Sequence, residues 1–216
     1  MPEGREYHVT FLTAEPQPKI VTCGGFTGVY NSGRPNYHAK GSDCLTLNNG
    51  NWQKGEVGDL TVPRSMSVVV TMESVGVYVL HGDMPVEAWG TSDFLAAHSS
   101  TWIKGPDVPI SLRRGCGAKI TRTSFLIVSG VRVREFDTSA GSTSGAGWQS
   151  DDTWPDLPGG GGQQPGCATL GSLFIVSGGY DNGKSSNTQI INLDTKSISK
   201  GAEMVVSRVH LHMKTL

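Results

Sequence analysis

The chain has 216 residues, with 18 Lys plus Arg against 19 Asp plus Glu and a formal net charge of −1. That balance gives no field to recruit nucleic acid or an anionic membrane, and no apolar run reaches the roughly 20 residues of a membrane span. Gly 29 and Pro 11 make the chain turn-rich without low complexity, and Cys 4 is too few for a disulfide scaffold at this length. The stretch from Met1 to His8 lacks the basic start and apolar core of a secretory signal. An intracellular protein, or a chain that begins inside a longer one, fits that start.

Residues 5–13 alternate apolar and polar side chains, with Tyr7, Val9 and Phe11 in step, as a strand does. Pro16 and Pro18 precede the β-branched run 19–23, which ends in Gly24-Gly25. A long polar loop from Phe26 to about Gly41 leads to a strand at 42–47. Asn48-Asn49-Gly50-Asn51 is a hairpin turn, because Asn and Gly tolerate positive φ. Trp52 opens the strand beyond it, and Pro63-Arg64 leads into a new unit at 65–72.

The same grammar returns. The turn 73–76 precedes the run 77–81 and Gly82, a third strand falls at about 91–96, and Trp102 marks a fourth. The third unit has Cys116–Ile120, the turn 121–123, the run 124–129 ending at Gly130, and Val131–Phe136. Trp148 and Trp154 compete for its tryptophan position beyond the Ser/Gly-rich segment 139–147. In the fourth unit Gly166–Leu170 precedes 172–177 and Gly178-Gly179, then Gln189–Leu193, with Ile198 where a tryptophan would stand. The closing glycines fall at 25, 82, 130 and 179, a spacing near 50 residues. Repeats of that length, each built on a short apolar strand and without helical periodicity, predict an all-β propeller.

The pattern of an apolar strand ending in Gly-Gly, a third strand, a tryptophan and a Pro/Arg connection resembles the kelch repeat. It is carried by Gly24-Gly25 with Trp52, Gly82 with Trp102, Gly130 with Trp148 or Trp154, and Gly178-Gly179 without a tryptophan. Two of the pairs have lost the first glycine, to His81 and Ser129. The resemblance implies four-stranded antiparallel blades, with strands a to d from the centre outwards and tryptophans packed between blades. The blades are expected at about 5–63, 64–112, 113–164 and 165–206, forming a single propeller domain over 1–216. Segment 207–216 is then a closing or truncated strand. A four-bladed ring would close by pairing 207–213 beside 19–24; the alternative is a fragment of a six-bladed kelch ring.

Antiparallel alternation puts the b–c loops and d–a connections at one end of each blade and the short a–b turns at the other. Long loops on a rigid frame are where binding residues collect. Tyr30, Arg34, Tyr37 and His38, in the longest b–c loop, are the candidate partner-binding residues, since aromatics and arginine dominate interaction hot spots. The six histidines show no metal-ligand spacing; His210 and His212 share a strand face but lack an identifiable third ligand. No metal, cofactor or catalytic residue is assigned. Gly159–Gly162 is no phosphate loop, because no Lys-Ser/Thr pair follows it.

The function expected is a non-catalytic scaffold that binds a protein partner. The alternative is a fragment of a galactose-oxidase-like or carbohydrate-active propeller enzyme. Cys116 and Cys167 read as small buried residues at equivalent strand-a positions. Cys23 and Cys44 fall on strands b and c of one unit, which allows them to lie side by side, and some extracellular kelch-like proteins resemble this Cys-Gly-Gly…Asp-Cys pattern. Paired, they are a candidate disulfide and imply an oxidising compartment; free, they fit the cytoplasm.

Overall fold

The computed structural model describes residues 5–13, 18–26, 41–82, 90–109, 114–150, 152–158, 163–180 and 185–206. The regular structure there is strand, apart from two single-turn 3-10 segments at Thr138–Ala140 and Gly145–Gly147. No helix among the described residues is long and apolar enough to cross a membrane. The chain forms two compact halves, 1–111 and 112–216.

Each half holds two antiparallel sheets whose strands follow one another in sequence order. In the first half, β1 (Val9–Leu12), β2 (Ile20–Cys23), β3 (Cys44–Asn48) and β4 (Asn51–Gln53) make one sheet. The other consists of β5 (Val68–Met72), β6 (Gly76–Leu80), β7 (Ser92–Ala96) and β8 (Trp102–Lys104). In the second half, β9 (Cys116–Lys119), β10 (Ser124–Ser129) and β11 (Arg132–Asp137) form a sheet of three strands. The last sheet is β12 (Gly166–Leu170), β13 (Leu173–Ser177), β14 (Thr188–Asn192) and β15 (Ile198–Lys200). The expectation of four strands in every sheet therefore fails once. A single bridge, Phe136 to Trp148, stands where the fourth strand would be. The reason is local: the Ser/Gly-rich stretch before Trp148 folds into the two 3-10 turns rather than extending.

The four sheets share one register. Val9, Val68, Cys116 and Gly166 lie opposite Cys23, Leu80, Val128 and Ser177. Two residues past each of those partners stands Gly25, Gly82, Gly130 or Gly179, all with positive φ. Two residues ahead of each first strand, Tyr7, Met66, Arg114 and Gln164 have φ of 58°, 55°, 58° and 60°. Non-glycine residues rarely enter this left-handed region, so four at one register position mark a true structural repeat. Tyr7 is thus a hinge before β1 and not part of the strand that its alternation with Val9 suggests. The hinge joins neighbouring sheets of a half: Met66 N donates to Tyr7 O at 2.9 Å, and Gln164 N to Arg114 O at 2.5 Å.

Within each half, unlike faces of the two sheets meet. Val9, Phe11, Val21 and Cys23 pack with Val77, Val79, Leu95 and Trp102; Val57 and Leu60 come from the connection between the sheets. In the second half Cys116, Leu126 and Val128 pack with Cys167, Phe174, Val176 and Ile191. There the connection contributes Trp154 and Leu157, while Ile198 packs at the place Trp102 holds in the first half. This separates the two competing tryptophans. Trp148 takes the strand-d register and packs edge-on against Phe125 and Phe136. Trp154, only 4% exposed, fills the space between sheets, and its Nε1 donates to Glu135 at 2.9 Å.

The same geometry corrects the reading of Cys116 and Cys167. Cys116 lies opposite Val128 and Cys167 opposite Val176, so they are offset by one residue in the common register. A one-residue shift turns a side chain to the other face of its sheet. Equivalent positions would point the same way and stay apart; offset ones point at each other across the interface. They form a disulfide with Cα atoms 5.6 Å apart, instead of remaining free.

Candidate functional site

At one end of the second, third and fourth sheets the connection from first to second strand is short. Residues 73–75, 120–123 and 171–172 join first to second strands, and the Asn49-Gly50 turn, with φ of 48° and 80°, joins β3 to β4. The opposite ends carry the long connections 24–43, 81–91 and 178–187 between second and third strands. In the third sheet that connection shrinks to Gly130-Val131. Tyr30, Arg34, Tyr37 and His38 lie outside the described residues, as do His210, His212 and the whole of 207–216. What the structure shows is the ground on which the loops stand.

Three of the long loops begin and end alike. Gly24 N donates to Asp43 O at 3.1 Å, His81 N to Thr91 O at 3.2 Å, and Gly178 N to Asn187 O at 2.8 Å. One step further out, Gly41 N donates to Gly25 O and Ser185 N to Gly179 O, both at 2.9 Å. The chain must turn left-handed there: Gly24 has φ +67°, and a Cβ on it would lie 2.5 Å from the carbonyl oxygen of Arg64. His81 takes the corresponding turn at φ 45°. Its ring folds back on its own loop, with Nδ1 2.7 Å from Gly82 N.

In the first half an arginine locks each loop foot. Arg5 and Arg64 both stand four residues ahead of their first strands, at Val9 and Val68. Arg5 Nη1 donates to Gly24 O and Asp43 O, each at 3.2 Å, and pairs with the Asp43 carboxylate. Arg64 Nη1 donates to the matching carbonyls, His81 O at 3.3 Å and Thr91 O at 2.9 Å, and pairs with Asp93. One side chain thus ties together the end of the second strand and the start of the third. The Arg5 hydrogen bond holds the Asp43 carboxyl below the usual carboxylate range against the opposing effect of burial; Lys54 adds to the lowering. Burial pushes the Arg64 guanidinium down, countered by Asp93; an arginine stays charged through such a shift.

Cys23 and Cys44 reinforce the first foot. They are a register pair of β2 and β3, with Cα atoms 4.1 Å apart and a disulfide bond between them. Residues 24–43 are thereby held at the base by a covalent bond, an ion pair and main-chain hydrogen bonds. Arg5, Asp43 and Asp93 stand in no motif that marks a side-chain brace. Only Pro63-Arg64, at a repeat junction, carries such a signal.

Among the described residues no group of three or more His, Cys, Asp or Glu side chains is placed to hold a metal ion. In the second half a shallow depression of about 260 Å³ lies among Pro158, Asn187, Thr188, Gln189 and Lys200. It falls just below the range of roughly 300–1,000 Å³ typical of small-molecule sites. No protein-family model and no curated protein matches the chain.

Proposed function

We propose that the chain is a kelch-type β-propeller scaffold, whole or part, that recognises a protein partner through the long loops at one end of its sheets. The observation that carries this is the braced foot beneath residues 24–43. Preorganising a loop lowers the entropy lost when it binds. Tyr30, Arg34, Tyr37 and His38 are the side chains proposed to meet the partner, in keeping with the residue types that dominate interfaces. The repeat spacing, the glycine exits and the sheet register favour the kelch-type propeller as the frame.

The test is affinity capture from the native source with the full chain, with metal analysis of the same preparation. A variant carrying Tyr30→Ala, Arg34→Ala, Tyr37→Ala and His38→Ala is expected to lose a specific partner. A control changed at Thr121 and Thr123, in a short turn at the other end, is expected to keep it. Equal capture by both variants, or a stoichiometric bound metal, would overturn the proposal.

A further inference from the structure

In the second half, the register positions around the left-handed hinge hold side chains that the fold does not require. Gln163 and Tyr180 form a bridge, Gln163 N donating to Tyr180 O at 2.8 Å and Tyr180 N to Gln163 O at 2.7 Å. Residues paired in this way carry their side chains next to each other. The Gln163 side-chain oxygen accepts from Arg114 Nη1 at 2.7 Å. Arg114, Gln163 and Tyr180 are therefore one contiguous group, with Tyr180 50% exposed.

The corresponding register positions of the first half hold other residues. There Glu6 bridges Phe26, and Tyr7 occupies the hinge position of Arg114. Tyr7 stacks edge-on against Phe26 with ring centroids 5.9 Å apart. Position by position, the common register thus accepts Tyr7 where Arg114 stands, and Glu6 and Phe26 where Gln163 and Tyr180 stand, so the backbone does not dictate these side chains.

Their chemistry is one-sided. No carboxylate pairs with Arg114 among the described residues, and Gln163 spends its acceptor oxygen on the guanidinium. Gln163 and Tyr180 are exposed and Arg114 half-buried, and the chemistry they add beyond that bond is the rest of the arginine fork, the Gln163 amide N–H groups and the Tyr180 hydroxyl. A cluster of donors around a positive charge that no carboxylate of the described residues pairs with is the complement of a carboxylate.

We infer that Arg114, Gln163 and Tyr180 form a docking point for an aspartate- or glutamate-bearing segment of the protein partner. This rests on the partner-binding reading above and gives that partner's chemistry. The probe is a labelled hexaglutamate peptide, compared with hexaglutamine, binding the full chain at low salt and followed by fluorescence anisotropy. The glutamate peptide is expected to bind at least about tenfold tighter, and the difference to shrink as salt screens it. Arg114→Ala and Arg114→Gln should each cost about tenfold, and Tyr180→Ala a smaller factor. Arg122→Ala, an exposed arginine in the turn at the other end of the sheet, should cost nothing. Unchanged thermal midpoints confirm that the variants fold. Equal binding of the two peptides, no binding of either, or an equal effect of Arg122→Ala would overturn the inference. If natural-partner capture fails on the 30/34/37/38 variant while Arg114→Ala leaves capture and peptide binding intact, this docking point falls and the scaffold reading stands.

Discussion

Arg64 and Asp93 form an ion pair that water does not reach, their side chains being 1% and 0% exposed. The Asp93 carboxylate also accepts from Thr61 N at 2.9 Å, while the guanidinium holds the Thr91 carbonyl and hydroxyl. Removing one partner strands a buried charge. Arg64→Met is expected to destabilise the chain by roughly 3–5 kcal/mol, as broken buried pairs do. Arg64→Met with Asp93→Leu should be more stable than Arg64→Met alone. Urea unfolding midpoints of the full-length variants measure both; a double variant no better than the single one would count against this account.

Asp43 gives the acid limb a sign. Its folded pKa is lowered, first by the Arg5 hydrogen bond, so its stabilisation is complete above the unfolded carboxyl value of about 3.9. It is then lost as the pH falls through the lower folded value. Asp43→Asn is expected to separate from the unaltered chain by a constant interval of thermal midpoint from pH 5 to 8. Below about pH 4 that interval should narrow. A gap that widens in acid would contradict the assignment.

The two disulfides enclose 21 and 51 residues of sequence separation. In the chain-entropy model those loops correspond to roughly 3 and 4 kcal/mol of stabilisation. Denatured without reductant, oxidised chain is expected to show no titratable thiol. Cys116→Ser with Cys167→Ser should lower stability more than Cys23→Ser with Cys44→Ser. Thiol titration with peptide mass mapping, then chemical denaturation, checks the pairing and the order.

Trp154 and Trp148 should separate on truncation. Trp154→Ala opens the space between the sheets of the second half and is expected to cost about 3–5 kcal/mol. Trp154→Phe keeps most of that volume but gives up the bond to Glu135, a further loss of about 1 kcal/mol. Trp148→Ala should cost less than Trp154→Ala, since Trp148 caps Phe125 and Phe136 at a sheet margin. Unfolding of the three variants under one condition gives the order directly.

The strands ending at Gly25, Gly82, Gly130 and Gly179 were readable because glycine records a conformational demand in its own letter. Asn49-Gly50 was readable for the same reason. The hinges at Tyr7, Met66, Arg114 and Gln164 make an equal demand, yet four unrelated side chains meet it and leave no pattern. Arg5 and Arg64 were hidden differently. Their partners are mostly main-chain carbonyls, at Gly24, Asp43, His81 and Thr91, which any residue supplies. The pairing of Cys116 with Cys167 turned on a single residue of register, finer than strand boundaries read from composition allow. The candidate binding residues 30, 34, 37 and 38 were chosen by residue type; the structure adds the anchorage of the loop that bears them.

The meeting of unlike faces within each half has a consequence for growth. Such a joint is polar, like a stud and a socket, and a body built from it ends with one of each. A further sheet copied from the gene can therefore join without any new surface being invented, so the number of sheets is free to change in whole steps. The same polarity carries a hazard. A stud left bare on one molecule matches the socket of the next, and head-to-tail chains of molecules follow unless those ends are covered or joined.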